Sequence, residues 1–514
     1  MLSPNVPSPR DAEPRWHCGI ERREADSVHA VHTAAQRAAR AVTTDSTARR
    51  PDTAPSVTDA HRTPPVAPWT AESPDAQSIT APAMTAYRDD WEQRLLADPD
   101  LLADIAHAVG GPFHVLYPAR VGSNIDAFHQ QFRRSGVMGA IFYGKKANKS
   151  GAVVRACAEQ DAGVDVASTG ELSTALAHGI RGRDLMVTGP AKSDELLWLA
   201  ARHGALIAVD EPGELDRLTV LVASARVLLR VLPPDSTSRF GMTDAELDTV
   251  LMRADPAQIR VEGFSFHLSG YDPIARSELA AALIGRCLHA RTLGHPVTTI
   301  SIGGGFGVEY LPEAAWRDFT DDPDHFHSGK RFGSYYPYHQ RPAGPAALAA
   351  VLDHNDLARA LRGNDLRLAI EPGRALLDRA GSSVFRVQGV KTRTARTVPY
   401  QILTVDGTSL SLSEQWFDSE FLPDPALWPQ RAGTVTPGCG GASTCLESDL
   451  LSWRRIPLPR PAAVGDLLVY PNTAGYQMDS NESAFHELPI PPKVLLSERE
   501  AGSSTGALRW SLDR

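Results

Sequence analysis

From about residue 85 the chain alternates short apolar runs with amphipathic stretches. DDWEQRLLADPDLLADIAHAVGG (89–111) has helical spacing of its apolar positions and predicts helical segments ending at Gly110-Gly111. PFHVLY (112–117) predicts a strand. Eight further runs follow: GAIFYG (139–144), GVDVAS (163–168), DLMVTG (184–189), ALIAVD (205–210), RVLLRV (226–231), VEGFSFHL (261–268), TTISIGGG (298–305) and DLRLAIEPG (365–373). Between them lie amphipathic stretches such as KSGAVVRACAEQ, GELSTALAHG and PGELDRLTVLVAS. Eight strands separated by helices over roughly 260 residues is the period of a (β/α)8 barrel. After about residue 380 the alternation stops. SSVFRVQGVKTRT, PYQILTVDG and GDLLVYPN are strand-like and no long helix separates them, which predicts a second, mainly β domain.

The expected organisation is therefore an α/β chain in four parts. Residues 118–380 form the barrel and 381–514 a C-terminal β domain, with 84–117 packing on that β domain. Residues 1–83 are rich in Ala, Thr, Pro, Ser, Arg and Asp and poor in large apolar residues. Such a segment cannot bury enough surface to offset its ordering entropy, so a disordered tail is expected. A sharper expectation is that Met84 is the natural start. The first residues lack the continuous apolar core of a secretory signal, and their acidic residues do not suit a transit peptide.

Composition narrows the function classes. With 52 basic and 61 acidic residues the net charge is -9, so the basic stripe of a dedicated nucleic-acid binder is not expected. The five cysteines (Cys18, Cys157, Cys287, Cys439 and Cys445) are odd in number and scattered, which implies no disulfide framework and suits a cytoplasmic protein. No run of about 20 apolar residues predicts a membrane span. His325, His327 and His339 lack a firm ligand spacing, so no metal is expected.

Five segments carry candidate chemistry. In FYGKKANKS (142–150), period-two alternation puts Phe142, Gly144 and Lys146 on one face, with Lys146 where the strand should end. Barrel active sites collect at that end, and a lysine there can form a Schiff base with an aldehyde cofactor. In SFHLSG (265–270), His267 ends another strand and could stack on a cofactor ring. SIGGGFG (301–307) places Gly303, Gly304 and Gly305 after a strand, where backbone N–H groups can form a phosphate nest. The spacing does not match a dinucleotide fingerprint. In AIEPGRALL (369–377), Arg374 could clamp a phosphate with its planar fork, and Glu371 could pair with a pyridine nitrogen. The β domain adds STCLESD (443–449), where Cys445 is a possible proton donor or acceptor, and TAGYQMDSNESAFHE (473–487), where Tyr476 could reach a phosphate.

Taken singly, each segment has a plain structural reading: a solvated lysine pair, a core histidine, a tight turn, a surface ion pair, a small buried thiol. Their order is more specific. FYGKKANKS, VDVASTGEL, RVLLRVLPP, SRFGM, SFHLSG, IGGGFG, EPGR, CLESD, AGY and AFHELP follow one another as in the fold-type III pyridoxal-phosphate decarboxylases, the family of diaminopimelate and ornithine decarboxylases. The chain resembles that family from about residue 100 to 497.

The resemblance implies an alanine racemase-like (β/α)8 barrel plus a β domain, and pyridoxal 5'-phosphate as cofactor. It implies that Lys146 forms the Schiff base, His267 stacks on the ring, and Gly303, Gly304, Gly305, Arg374 and Tyr476 hold the phosphate. Glu371 would hold the pyridinium. Cys445, supplied by the partner subunit of a homodimer, would act at the substrate's α-carbon. The implied activity is amino-acid decarboxylation through an external aldimine and a quinonoid. An alanine racemase, which sets an Arg near the pyridine nitrogen, fits less well, as does a non-catalytic binding protein.

Three departures bear on the substrate. The family's His-x-Gly-Ser is here His267-Leu268-Ser269-Gly270, which moves a hydroxyl by one position. The acid that follows the family's Cys is replaced by Leu446, with Glu447 next. VDGTSLSLSEQWFDSEFLPDP (405–425) lacks the Arg-Pro-x-Leu-Tyr-like segment of diaminopimelate decarboxylases. The expectation is unchanged chemistry with an altered distal pocket. Glu447, Asp449 and Tyr336 are its candidate substrate-binding residues, and the stretch HFHSGKRFGSYYPYHQRP (325–342) is a candidate addition to it. Diaminopimelate is the default substrate. A diamino-acid-derived intermediate of siderophore or antibiotic biosynthesis is the alternative.

Overall fold

Apolar runs without alternation need cover on both faces, and a closed parallel barrel wrapped by helices gives it. The computed structural model describes residues 78–234, 236–412, 418–479, 483–499 and 508–513. Two helices, Asp90–Ala97 and Pro99–Val109, lead to strand β1 (Phe113–Leu116). The second helix ends at Gly110, whose φ of 76° is the left-handed cap expected of Gly110-Gly111.

The eight predicted barrel runs become β2 (Gly139–Gly144), β3 (Gly163–Val166), β4 (Leu185–Val187), β5 (Leu206–Val209), β6 (Ala225–Arg230), β7 (Ile259–Ser265), β8 (Thr299–Ser301) and β9 (Arg367–Ile370). They pair in sequence order and β2 closes on β9. Phe142, Met186, Leu206, Leu228 and Ala369 form one apolar cluster, while neighbours of opposite facing such as Ile141 and Tyr143 join the larger cluster that includes the helices. Several barrel helices begin on a capping oxygen just past a strand. Ser150, Ser168 and Ser193 accept from backbone amides, and Thr243 with Glu246 makes a full capping box. Sharp strand-to-helix turns of this kind fix where side chains at the strand ends stand.

The mainly β domain contains β10 (Gly381–Ala395), β11 (Val398–Val405), β12 (Ala426–Trp428), β13 (Thr436–Gly441), β14 (Leu450–Leu458), β15 (Leu467–Tyr470), β16 (Lys493–Glu498) and β17 (Leu508–Leu512). Its main path is β14-β13-β11-β10-β1-β16-β17, with β15 paired to β10 and β12. β1 thus lies in this sheet, antiparallel to β10 and parallel to β16. Among the described residues no helix is long and apolar enough to cross a membrane.

Two expectations need correction. The disordered tail was expected to reach residue 83. Residues 1–77 lie outside the described residues, but 78–83 run along the β domain. Ile79 is fully buried beside Val398 and Ala395, Ala81 N donates to Arg455 O (3.0 Å), and Arg455 Nε donates to Ile79 O (2.9 Å). One large apolar side chain and backbone pairing suffice to order a segment of low overall apolar content. Secondly, 325–342, expected to add to the distal pocket, is in part anchored in the β domain instead. Phe326 and Tyr338 are fully buried, and Tyr338 shares a cluster with Phe385, Leu403 and Leu422 of the β domain.

Candidate active site

Lys146 stands just past the end of β2, in the single 3-10 turn Lys145–Ala147. The turn is pinned from both sides. Tyr143 OH donates to Asn148 O (3.0 Å), Asn148 Nδ2 donates to Ala474 O (2.8 Å), and Tyr476 N donates to Ala147 O (2.8 Å). The 474–479 segment of the β domain thereby fixes the lysine-bearing turn of the barrel. The Lys146 side chain lies open to a cavity of ≈ 410 Å³, with Nζ 3.8 Å from Asp165 Oδ2 at the end of β3. Thr188 Oγ1 donates to the other oxygen of Asp165 (2.7 Å). Burial pushes the Asp165 carboxyl up and the Lys146 ammonium pulls it back, while the charge of Asp165 raises Lys146. Lys145 faces away and donates to Lys149 O (3.2 Å).

Lys146, His267, Gly304, Gly305, Glu371, Arg374, Tyr476 and Tyr336 all line this one cavity. His267 follows β7. Burial, then the charges of Lys146, Arg230 and Arg276, push its pKa down to about 4, so the ring is neutral at pH 7. Gly303, behind it, has φ 67°, and a Cβ there would stand 2.8 Å from His267 Nδ1 and from Phe266 O. A Cβ on Gly304 would stand 2.8 Å from Glu371 O. Side chains are excluded from this turn, so its backbone can lie close to the cavity at Gly304 and Gly305, while Gly303 N donates to Ser301 Oγ (3.4 Å). Glu371, past β9, accepts from Ser301 Oγ (2.6 Å). Arg374 is buried; its Nη1 donates to Gly475 O and Gln477 Oε1 (both 2.9 Å), and its guanidinium lies 4.2 Å from the Tyr336 ring and 4.9 Å from the Tyr476 ring.

This donor set fits a phosphorylated pyridine aldehyde. A primary amine, a flat neutral ring, a carboxylate, a glycine turn and an arginine surround one space. A side chain in place of Gly303 or Gly304 would push against His267, Phe266 O or Glu371 O and so disturb the wall of the cradle. At Gly373, too, a Cβ would stand 2.8 Å from Tyr476 OH, so the chain must be bare where the arginine and tyrosine approach.

Unlike Tyr476, the predicted residues of the 443–449 segment stand elsewhere. Cys445 is exposed, does not line the cavity, and has Sγ 3.3 Å from His486 Nε2. Glu447 is exposed on the same loop. Asp449, expected to bind substrate, is turned inward and buried. Its Oδ1 accepts from Ser409 N (2.8 Å) and its Oδ2 from Thr444 Oγ1 (2.6 Å), so both oxygens hold the loop together. Of 325–342, only Ser334, Tyr335 and Tyr336 reach the cavity. His327 is bonded to Tyr400 OH (2.9 Å), His339 to Leu311 O (3.1 Å), and Lys330 pairs with Asp418 (3.4 Å).

Sequence reasoning gave no role to Asp165, Ser301 or His486. A signal for Asp165 was present: an acid inside GVDVAS, a run otherwise apolar enough to be fully buried, needs a cation. Nothing in the sequence points Ser301 at Glu371 or His486 at Cys445.

Comparisons with known proteins bear on the family and the fold. Residues 119–378 match the family model described as "Pyridoxal-dependent decarboxylase, pyridoxal binding domain". An uncharacterized protein, y4yA, of Sinorhizobium fredii is 36% identical over 84% of this chain and 94% of its own. The diaminopimelate decarboxylase of Deinococcus radiodurans is 28% identical over 77% of this chain and 92% of its own. Among solved structures, diaminopimelate decarboxylase from Helicobacter pylori complexed with L-lysine superposes with a TM-score of 0.63 at 17% identity, covering 80% of this chain and 97% of that one. The chain belongs to the pyridoxal-dependent decarboxylases, the fold-type III family of diaminopimelate and ornithine decarboxylases.

Proposed function

We propose that this carboxy-lyase removes the α-carboxylate of a diamino acid, in the manner of a diaminopimelate decarboxylase, at active sites shared between two subunits. The observation that carries the reading is the convergence of Lys146, Asp165, His267, Glu371 and Arg374 on one cavity at the barrel mouth. Pyridoxal phosphate, when bound, supplies an electron sink for the charge left at the α-carbon as CO2 departs. Lys146 supplies the amine that anchors the cofactor, and Asp165 keeps that amine within reach of a proton partner. Glu371, held by Ser301, favours a protonated ring nitrogen because an anion stabilises the charged form. Neutral His267 offers a flat face to the ring, and the glycine turn, Arg374 and Tyr476 take the phosphate. Cys445 lies outside its own chain's cavity, which supports its delivery by a second copy, where its thiol would hold the proton for the α-carbon.

A second reading concerns the substrate alone: a specialised diamino-acid derivative of siderophore or antibiotic biosynthesis. It is favoured by the far wall, which Tyr271, Ser334, Tyr335 and Tyr336 line, and by exposed Leu446 where the family has an acid. CO2 release measured on diaminopimelate, lysine, ornithine, arginine and N-carboxylated diamino acids separates the two. Diaminopimelate as the best substrate supports the first. Silence on all the simple diamino acids, with the visible absorbance of the bound cofactor intact, overturns it in favour of the second.

A further inference from the structure

The barrel mouth holds a second arginine with no role assigned above. Arg276 lies in the first turn of the helix Pro273–Thr292 and is 2% exposed. Its Nε donates to Gly304 O (3.2 Å), Nη1 to Asp272 O (2.9 Å), and Nη2 to Leu268 O (2.9 Å) and Gly270 O (2.7 Å). All four acceptors are neutral carbonyls. Among the described residues no carboxylate forms an ion pair with it; Asp272, close in sequence, uses its carboxylate to cap the helix at Ile274 N (2.8 Å). A guanidinium removed from water without a counter-charge is strongly disfavoured unless an anion offsets it. The helix sharpens this, because its first turn carries positive partial charge and no acidic residue.

Three of the four carbonyls belong to the two loops at the barrel mouth. In a trans peptide the C=O and the following N–H point opposite ways, and the cis bonds among the described residues are those before Pro342 and Pro429. Carbonyls of Leu268, Gly270 and Gly304 drawn to Arg276 therefore aim the N–H groups of Ser269, Tyr271 and Gly305 away from it. Leu268, Gly270, Tyr271, Gly304 and Gly305 line the cavity. The loops must approach the guanidinium closely, since a Cβ on Gly305 would land on Arg276 Nη2. We propose that Arg276 is a positioning residue that binds the 268–271 loop and the glycine turn into one anion cradle for the cofactor's phosphate. It thereby stands in for the loop hydroxyl displaced in His267-Leu268-Ser269-Gly270.

The test compares two ligands on protein stripped of cofactor: pyridoxal phosphate and pyridoxal, which lacks the phosphate. Each is titrated by its visible absorbance when bound to Lys146, in the wild type, Arg276→Lys and Arg276→Met. Arg276→Lys keeps the charge and loses the fork. It should weaken pyridoxal phosphate by at least about tenfold, and Arg276→Met by more, while pyridoxal changes by less than about twofold. Unchanged pyridoxal binding also certifies the fold. Equal losses on both ligands, or no loss on either, would overturn the proposal. So would an Arg276→Lys variant that does not fold, because Arg276 would then be a general structural residue.

Discussion

The two walls of the candidate site are built differently. On the barrel side, Lys146, Asp165, His267, the glycine turn and Glu371 stand at or just past the ends of β2, β3, β7, β8 and β9. Their positions follow from strand pairing, and each has a bonded partner or a close backbone neighbour. On the β-domain side, Cys445 and Glu447 sit on an exposed loop between β13 and β14, and the tyrosines come from a long connection between β8 and β9. The wall that would hold the cofactor is built on strand ends and keeps the family's pattern except in the loop after His267. The wall that would meet the substrate's far end is made of connections, and every departure from the pattern lies there or at the phosphate. Loops can vary without disturbing the barrel, so specificity can change while the reaction stays the same.

The largest effect should break the barrel wall. Lys146→Ala is expected to abolish both CO2 release and the visible absorbance of the lysine-bound cofactor. Substantial turnover in this variant would mean that the reaction does not pass through Lys146. Cys445→Ala should act differently, lowering turnover by about 10²–10⁴-fold while leaving cofactor absorbance unchanged, as removal of a proton-transfer group does. Mixing the two inactive variants should restore part of the activity, because some mixed dimers would carry one intact site. No recovery on mixing would place Cys445 and Lys146 in the same chain's site or remove Cys445 from the chemistry.

A smaller change sharpens the contrast within the Cys445 loop. Asp449→Asn keeps the shape but weakens the contacts to Thr444 and Ser409. We expect a loss of about 1–3 kcal/mol in unfolding free energy from the buried groups left poorly paired, read from denaturant melts. KM should move little. A large rise in KM with unchanged stability would return Asp449 to the substrate.

How much of this was readable from the sequence depends on the physics of each part. Barrel strands are buried on both faces, so they stand out as unbroken apolar runs, and all eight were found. The glycine turn and Lys146 were legible because their residue types are unusual at a strand end. Orientation was not legible. Asp449 looked like a substrate ligand because a sequence cannot show which way a carboxylate turns. Arg276 lies in an ordinary helical pattern, and only its four carbonyl partners set it apart. Which part of 325–342 faces the pocket was not legible either, because its aromatic residues follow no period, and Phe326 and Tyr338 turn out to be buried. Residues 78–83 were misread for a similar reason, since Ile79 is a single apolar residue in a polar context.

The smallest effect concerns the charge state of the barrel wall. His267 has its pKa lowered to about 4 by burial and by the neighbouring Lys146, Arg230 and Arg276. The ordinary value is about 6.5, so between these two values the unfolded chain binds a proton that the folded chain does not. Stability from this residue is therefore present above about 6.5 and is lost as pH falls toward 4. His267→Gln should remove that part of the slope. The difference in unfolding free energy between wild type and variant, measured on cofactor-free protein, should grow with pH from 4 to 6.5 and then level off. The ring faces the cavity, so solvent screens part of the effect. His114, buried in strand β1 with its pKa lowered to about 3, is present in both proteins and cancels. A flat difference would mean that His267 titrates normally and can be protonated near neutral pH. A second cation would then stand beside Lys146, and the neutral stacking face assigned to His267 would be lost at mildly acidic pH.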